Sequence, residues 1–214
     1  MIKAIIFDMD GLLIDSEPLW KKAEEKVFVS LGVPFSLKSS KETTGLRADE
    51  VVSHWYKKYP WKSQSLDNVT KQIEQEVLRL VKLEGKVKEG AIETVKACFN
   101  IGLPLAVASS SSPELIDCVL DKLKIRSFIK VIHSAHHEKY GKPHPAVYIS
   151  TAKSLKVDPV NCLSFEDSVN GVLSAKSAKM KCIAVPDPEN INNKNYGIAD
   201  IILPSLKDFN INMI

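Results

Sequence analysis

The chain has 214 residues, 44% of them hydrophobic and 26% charged, so it is expected to bury a core as one domain, or one domain carrying an insertion, and not to stay disordered. Its formal net charge of +3, on lysines scattered along the chain, gives no footprint for nucleic acid. No apolar run approaches the roughly 20 residues that cross a bilayer, and no leader-like pattern opens the chain, so a cytoplasmic protein without a membrane partner is expected.

In chain order, residues 3–7 form an apolar run that stops at Asp8-Met9-Asp10-Gly11, which predicts a buried strand ending in a loop. From residue 16 to 85 no strand pattern appears. That stretch carries the helical stripe Val69, Ile73, Val77 and Leu80 and seven of the 15 aromatics, among them Trp20, Trp55 and Trp61. A helical subdomain inserted over 16–85, splitting the remainder into 1–15 and 86–214, accounts for both. A helix follows over 91–101 with Ile92, Val95 and Phe99 on one face and Gly102 as its stop. A strand over 103–108 leads into a helix over 113–123 with the stripe Ile116, Val119, Leu120 and Leu123. Ser111 or Ser112 would cap it, Glu114 completing a capping box with Ser111. Strands over 130–133, 162–165 and 181–185, a sixth candidate over 198–203, and helices over 145–155 and 168–180 complete the alternation. Strands alternating with single helices predict an α/β fold, a parallel sheet covered on both faces. Cys98, Cys118, Cys162 and Cys182 are widely spaced in apolar stretches and are expected as reduced core thiols.

Each strand delivers chemistry at its carboxyl end, where open α/β sheets bind ligands. Asp8 and Asp10, two residues apart, face one mouth, and two such acids stay ionised most cheaply around a cation; hard oxygen ligands suit Mg2+. The alternative is a plain D-x-D-G turn. Ser109-Ser110-Ser111-Ser112 precedes a helix, an arrangement that suits a phosphate dianion or simply caps the helix. Lys142, in Gly141-Lys142-Pro143-His144-Pro145, offers a fixed positive charge, and Glu166-Asp167 ends the fourth strand. A P-loop is excluded by the absence of its glycine-rich pattern. His133, His136 and His137 lack the companions of a metal site and read as a solvated loop; His144 reads as a turn residue.

Acid pair, hydroxyl, lysine and acid pair, in that order, resemble the four motifs of the haloacid dehalogenase-like phosphohydrolases over essentially the whole chain. The resemblance implies a Rossmann-like core and, from the helical insertion after the first motif, an α-helical cap. The run Phe7-Asp8-Met9-Asp10-Gly11 through Asp15-Ser16-Glu17-Pro18-Leu19-Trp20 resembles the subgroup that hydrolyses 2-deoxyglucose 6-phosphate or hexitol phosphates. So do Thr44-Gly45-Leu46-Arg47, the Trp55-Tyr56…Trp61 cluster and Glu166-Asp167-Ser168-Val169-Asn170-Gly171. The related β-phosphoglucomutases carry a histidine where this chain has Trp20, which weighs against a mutase. A phospho-ligand binding protein without catalysis would be expected to lose a nucleophile or metal acid, and none is missing.

The resemblance further implies Asp8 as nucleophile and Asp10 as general acid and base. Mg2+ would be held by the Asp8 side chain, the Asp10 backbone carbonyl and Asp167, with Glu166 ordering that set. Ser109, the amide of Ser110, and Lys142 would hold the phosphoryl oxygens. On the cap, Gly45, Leu46, Arg47 and Trp20 are candidate substrate contacts; Trp55 and Trp61 fit either the sugar side or the subdomain's core. The expected ligand is a small phosphate ester and the expected state a monomer. Positive potential then comes from the metal, Lys142 and a helix N-terminus, so the near-neutral net charge suffices.

Overall fold

The computed structural model describes residues 1–36, 39, 43 and 45–214. Six strands, β1 (Ala4–Phe7), β2 (Leu105–Ser109), β3 (Ile129–Ser134), β4 (Cys162–Glu166), β5 (Lys181–Ala184) and β6 (Ile201–Ile202), form one sheet in the order β3-β2-β1-β4-β5-β6. Every pairing is parallel; Phe7 lies in register with Val107 on one side and Phe165 on the other. The chain steps outward from β1 through β2 and β3, then returns to β4 beside β1. That reversal opens a crevice at the carboxyl end of β1. Residues of β1, β2 and β4 are wholly buried, as continuous apolar runs between two helical layers require.

The helices α4 (Ala91–Asn100), α5 (Pro113–Lys122), α6 (Ala146–Leu155) and α7 (Val169–Ser177) connect the strands close to the expected boundaries. Two details differ. On α4 the buried face is Ala91, Thr94, Val95 and Cys98, one position off the expected stripe, and Phe99 is 45% exposed against Phe128. Thr94 tolerates burial because its hydroxyl donates to the Leu206 carbonyl at 3.1 Å. At the start of α5 the cap is Ser112, which accepts from Leu115 N, so the expected Ser111–Glu114 box does not form.

Between β1 and β2, α1 (Glu17–Ser30), α2 (Ala48–Lys58) and α3 (Leu66–Glu84) pack on one another. Phe28, Phe35, Trp55 and Trp61 meet at ring separations of 5.0 to 6.1 Å, and the α3 stripe Val69, Ile73, Val77 and Leu80 is buried with them in the hydrophobic core. Trp55 and Trp61 are therefore core residues. The two chain segments joining this unit to the sheet run side by side: Asp15 N donates to Lys86 O and Lys88 N to Leu13 O, at 2.8 and 3.0 Å. All four cysteines are free, and burial pushes the Cys98 thiol up to about 12. Among the described residues no helix is long and apolar enough to cross a membrane.

Candidate active site

Lys142 is 2% exposed and is the pivot of the crevice. Its ammonium donates to Asp8 Oδ1 at 2.5 Å, Glu166 Oε1 at 2.6 Å and the Ala108 carbonyl at 3.2 Å. Three strand ends thereby converge on one cation. Desolvation pulls its pKa down, but Asp8 and Glu166 more than offset this, so it is held above the ordinary lysine value and stays charged. Tyr148 adds a 2.6 Å hydrogen bond to the same Glu166 oxygen, and Glu166 Oε2 accepts from Asp167 N at 3.2 Å. Glu166 thus has both oxygens engaged by protein donors, Lys142 among them.

Asp8, Glu166 and Asp167 each place one carboxylate oxygen within 4.8 Å of the others, all three residues buried. Among the described residues only Lys142 neutralises them locally, and no hydrogen bond reaches the Asp167 carboxylate. Desolvation first, then the neighbouring acids, push Asp8 and Asp167 well above the usual carboxylate range. A buried excess of negative charge in an all-oxygen donor set fits a hard divalent cation. Two glycines make the cluster possible. A Cβ on Gly11 (φ +74°) would lie 2.1 Å from Asp167 Oδ2, and one on Gly171 1.9 Å from the Glu166 carboxylate.

Asp10 stands outside this cluster. Its Oδ1 accepts from Ser16 Oγ at 2.6 Å and Trp20 Nε1 at 3.0 Å; its Oδ2 accepts from Ser111 Oγ at 2.7 Å and Ser109 Oγ at 3.3 Å. The two aspartate side chains are divided: Asp8 pairs with Lys142, and Asp10 is oriented by four donors. Ser109 is fully buried and also accepts from Ser111 N, so Ser110 and Ser111 line the cavity in its place.

The opposite wall comes from α1 and the loop before α2. Trp20, Gly45 and Leu46 line the cavity as expected, with Gly45 (φ +80°) approaching Ser168 so closely that a Cβ would sit 3.0 Å from its hydroxyl. Thr44 lies outside the described residues. Arg47 is not part of the cavity lining. Its guanidinium pairs with Asp49 and donates from Nη1 to the carbonyls of Ala135 and Glu138 at 2.8 and 2.9 Å, away from the cavity. Glu50 reinforces the contact, accepting from Gly141 N at 3.2 Å. The histidine segment is also less solvated than expected: His133 contacts Glu138 at 2.7 Å, and half-buried His136 lies 3.2 Å from Glu74.

The sequence pattern of the haloacid dehalogenase-like hydrolases matches residues 5–185. The chain belongs to that family. Hexitol phosphatase B of Escherichia coli K12 is 42% identical over 208 residues, covering 97% of this chain and 94% of that protein. CbbY from Rhodobacter sphaeroides, solved with phosphate, superposes with a TM-score of 0.87 at 25% identity, over 97% of this chain and 96% of that one. β-Phosphoglucomutase from Clostridium difficile superposes with a TM-score of 0.87 at 23% identity, over 100% and 95%, and shares the fold.

For this haloacid dehalogenase-like hydrolase, four lining or supporting residues lay beyond the sequence reading: Ser111, Tyr148, Glu17 and Glu24. Ser111 reads in the sequence as one of four serines and a candidate helix cap, not as a partner of Asp10. Tyr148 and Glu24 sit on helices at spacings that carry no signature of their own. Glu17 lines the cavity with its carboxyl pushed up to about 7, by burial first.

Proposed function

We propose that the protein is a Mg2+-dependent phosphatase of small sugar or polyol phosphate monoesters, such as hexitol phosphates or 2-deoxyglucose 6-phosphate. The observation that carries the reading is the contrast between two aspartates two residues apart: Asp8 against the Lys142 ammonium, Asp10 held by four donors. Such a pair separates nucleophile from proton carrier. The 42% identity to a hexitol phosphatase supports the substrate class.

An Asp8 oxygen attacks phosphorus and forms an aspartyl-phosphate while the ester P–O bond breaks. Asp10 gives its proton to the departing alcohol oxygen. It then takes a proton from water as that water attacks phosphorus and releases Asp8 and inorganic phosphate. Lys142 stays charged throughout and stabilises the phosphoryl oxygens; Ser110 and Ser111, which line the cavity, complete that cradle. Mg2+, held by Asp8 and Asp167 with the Asp10 carbonyl, would screen carboxylate against phosphate.

In this reading residues 1–15 and 86–214 form the catalytic core and 16–85 a cap, joined by the paired segments around Asp15 and Lys86. Arg47 and Glu50 hold the cap against the core, which keeps bulk water from the acyl phosphate. The enzyme acts as a cytoplasmic monomer. The deciding experiment measures phosphate release across sugar and polyol phosphates, with and without Mg2+, for the wild type and Asp8→Asn. Release that needs Mg2+ and disappears in the variant is expected; undiminished activity of Asp8→Asn would defeat the scheme.

A further inference from the structure

Helix α1 has two working faces. Leu19, Ala23, Val27 and Phe28 enter the hydrophobic core, whereas Glu17, Trp20, Lys21 and Glu24, spaced three and four apart, line the active-site cavity. Three of these have evident tasks or company: Trp20 holds Asp10, and Glu17 and Lys21 lie toward the entrance, each also lining the neighbouring surface groove. Glu24 is different. It is 7% exposed, and no hydrogen bond or ion pair to it exists among the described residues. The cavity lining also includes Thr43, Leu46, Ala48 and Val51.

The carboxyl oxygens of Glu24 are not sealed in but open into the cavity, so what fills the cavity, and not a protein group, satisfies them. Trp20, one turn earlier on the same face, touches Asp10, the group next to the departing oxygen. Glu24 therefore stands about 6 Å further along the helix axis, where the far end of the alcohol would lie. We propose that Glu24 reads hydroxyl groups several carbons from the ester oxygen, so that the site selects neutral, polyhydroxylated alcohols and disfavours leaving groups with a second anionic group. Glu17 on the same face adds to that disfavour and Lys21 opposes it, leaving two acids against one cation on this face. Arg47, a cation that could have met a second anion, is engaged by Asp49 and two core carbonyls. Burial and Glu17 raise the Glu24 carboxyl to about 8, so it can both donate to and accept from hydroxyls near neutral pH.

This inference rests on the phosphatase reading, and the test separates the two. Steady-state kinetics of the Mg2+-loaded wild type, Glu24→Leu and Glu24→Gln are compared on a hexitol 6-phosphate, on 6-phosphogluconate and on phenyl phosphate, which has no hydroxyl at that end. Glu24→Leu should lower kcat/KM on the hexitol phosphate about tenfold or more. On phenyl phosphate the change should stay within about twofold. Glu24→Gln, whose amide donates and accepts, should keep hexitol phosphate activity within about threefold. Wild type should disfavour 6-phosphogluconate, and Glu24→Leu should narrow that gap. Equal losses on the hexitol and phenyl esters, or no loss on the hexitol ester, overturn the role of Glu24 while the phosphatase reading stands. No phosphate release from any ester by the wild type defeats the phosphatase reading and this inference with it.

Discussion

Trp20 Nε1 donates to Asp10 Oδ1 at 3.0 Å, so the first helix after the D-x-D-G turn orients the carboxylate assigned to carry the proton. An indole donates and cannot accept, which makes Trp20 a holder of Asp10 and not a second proton carrier. Trp20→Phe removes this donor and leaves Ser16, Ser111 and Ser109 in place. The expected result is a fall in kcat of about fivefold, on the order of 1 kcal/mol, with a smaller change in KM. An unchanged kcat would reduce the indole contact to packing.

Removing Lys142 should affect stability as well as activity. Lys142→Met leaves Asp8 and Glu166 buried without their cation, and breaking a buried pair from one side typically costs about 3–5 kcal/mol. The two acids can take up protons, so a loss near the lower figure, about 3 kcal/mol, is expected, with no measurable turnover. Lys142→Arg should not restore activity, because three acceptors within 3.2 Å of the ammonium leave no room for a guanidinium. Denaturant unfolding at pH 7.5 checks the first statement; a variant as stable as wild type would contradict the pivot role.

Arg47 joins α2 to the segment after β3, and its removal should weaken closure without altering selectivity. Two charge-assisted hydrogen bonds to carbonyls are lost in Arg47→Ala. A drop in kcat/KM of about tenfold or more is expected for every ester tested, about 1.4 kcal/mol per factor of ten, since hydrogen bonds to a charged group contribute roughly 1.5–3 kcal/mol each. The ratio of kcat/KM between a hexitol phosphate and phenyl phosphate is the informative quantity. If that ratio moved severalfold, Arg47 would have to reach the substrate in solution.

Why the carbonyl contacts of Arg47 escaped sequence reasoning, while the place of Lys142 did not, follows from the kind of signal each leaves. Asp8, Ser109, Glu166 and Asp167 stand at the ends of β1, β2 and β4, and short apolar runs ending in polar residues mark such positions. Lys142 is flagged by the stiff proline turn that presents it. The partners of Arg47 are backbone carbonyls 88 and 91 residues away, which no local pattern encodes. Among Ser109–Ser112 the residues are alike. Which one caps α5 and which reaches Asp10 depends on where the helix begins. Periodicity missed the register of α4 because buried Thr94 counts as polar. Glu24 sits in Lys22-Ala23-Glu24-Glu25-Lys26, a string that reads as an ordinary solvated helix face.

Glu24 leaves a signature in stability against pH. Its folded carboxyl titrates near 8, against 4.5 for the free side chain, with desolvation the main cause and Glu17 adding to it while Lys21 opposes. Between those values the folded state binds more protons than the unfolded chain, so wild-type stability should fall as pH rises through that window. Below 4.5 both states are protonated, and above 8 both are ionised and the penalty is constant. Glu24→Gln has no proton to lose. Its Tm should lie close to wild type at pH 4.5 and exceed it increasingly up to pH 8, then run parallel. The upper limit of the effect is on the order of 3–5 kcal/mol, which corresponds to several degrees in a chain of this size. Thermal scans of both proteins from pH 4.5 to 9 measure the difference directly, and Glu17, present in both, cancels from it to first order. A Tm difference that does not change with pH would mean that Glu24 is solvated in the folded protein, and its place on the cavity wall would have to be redrawn.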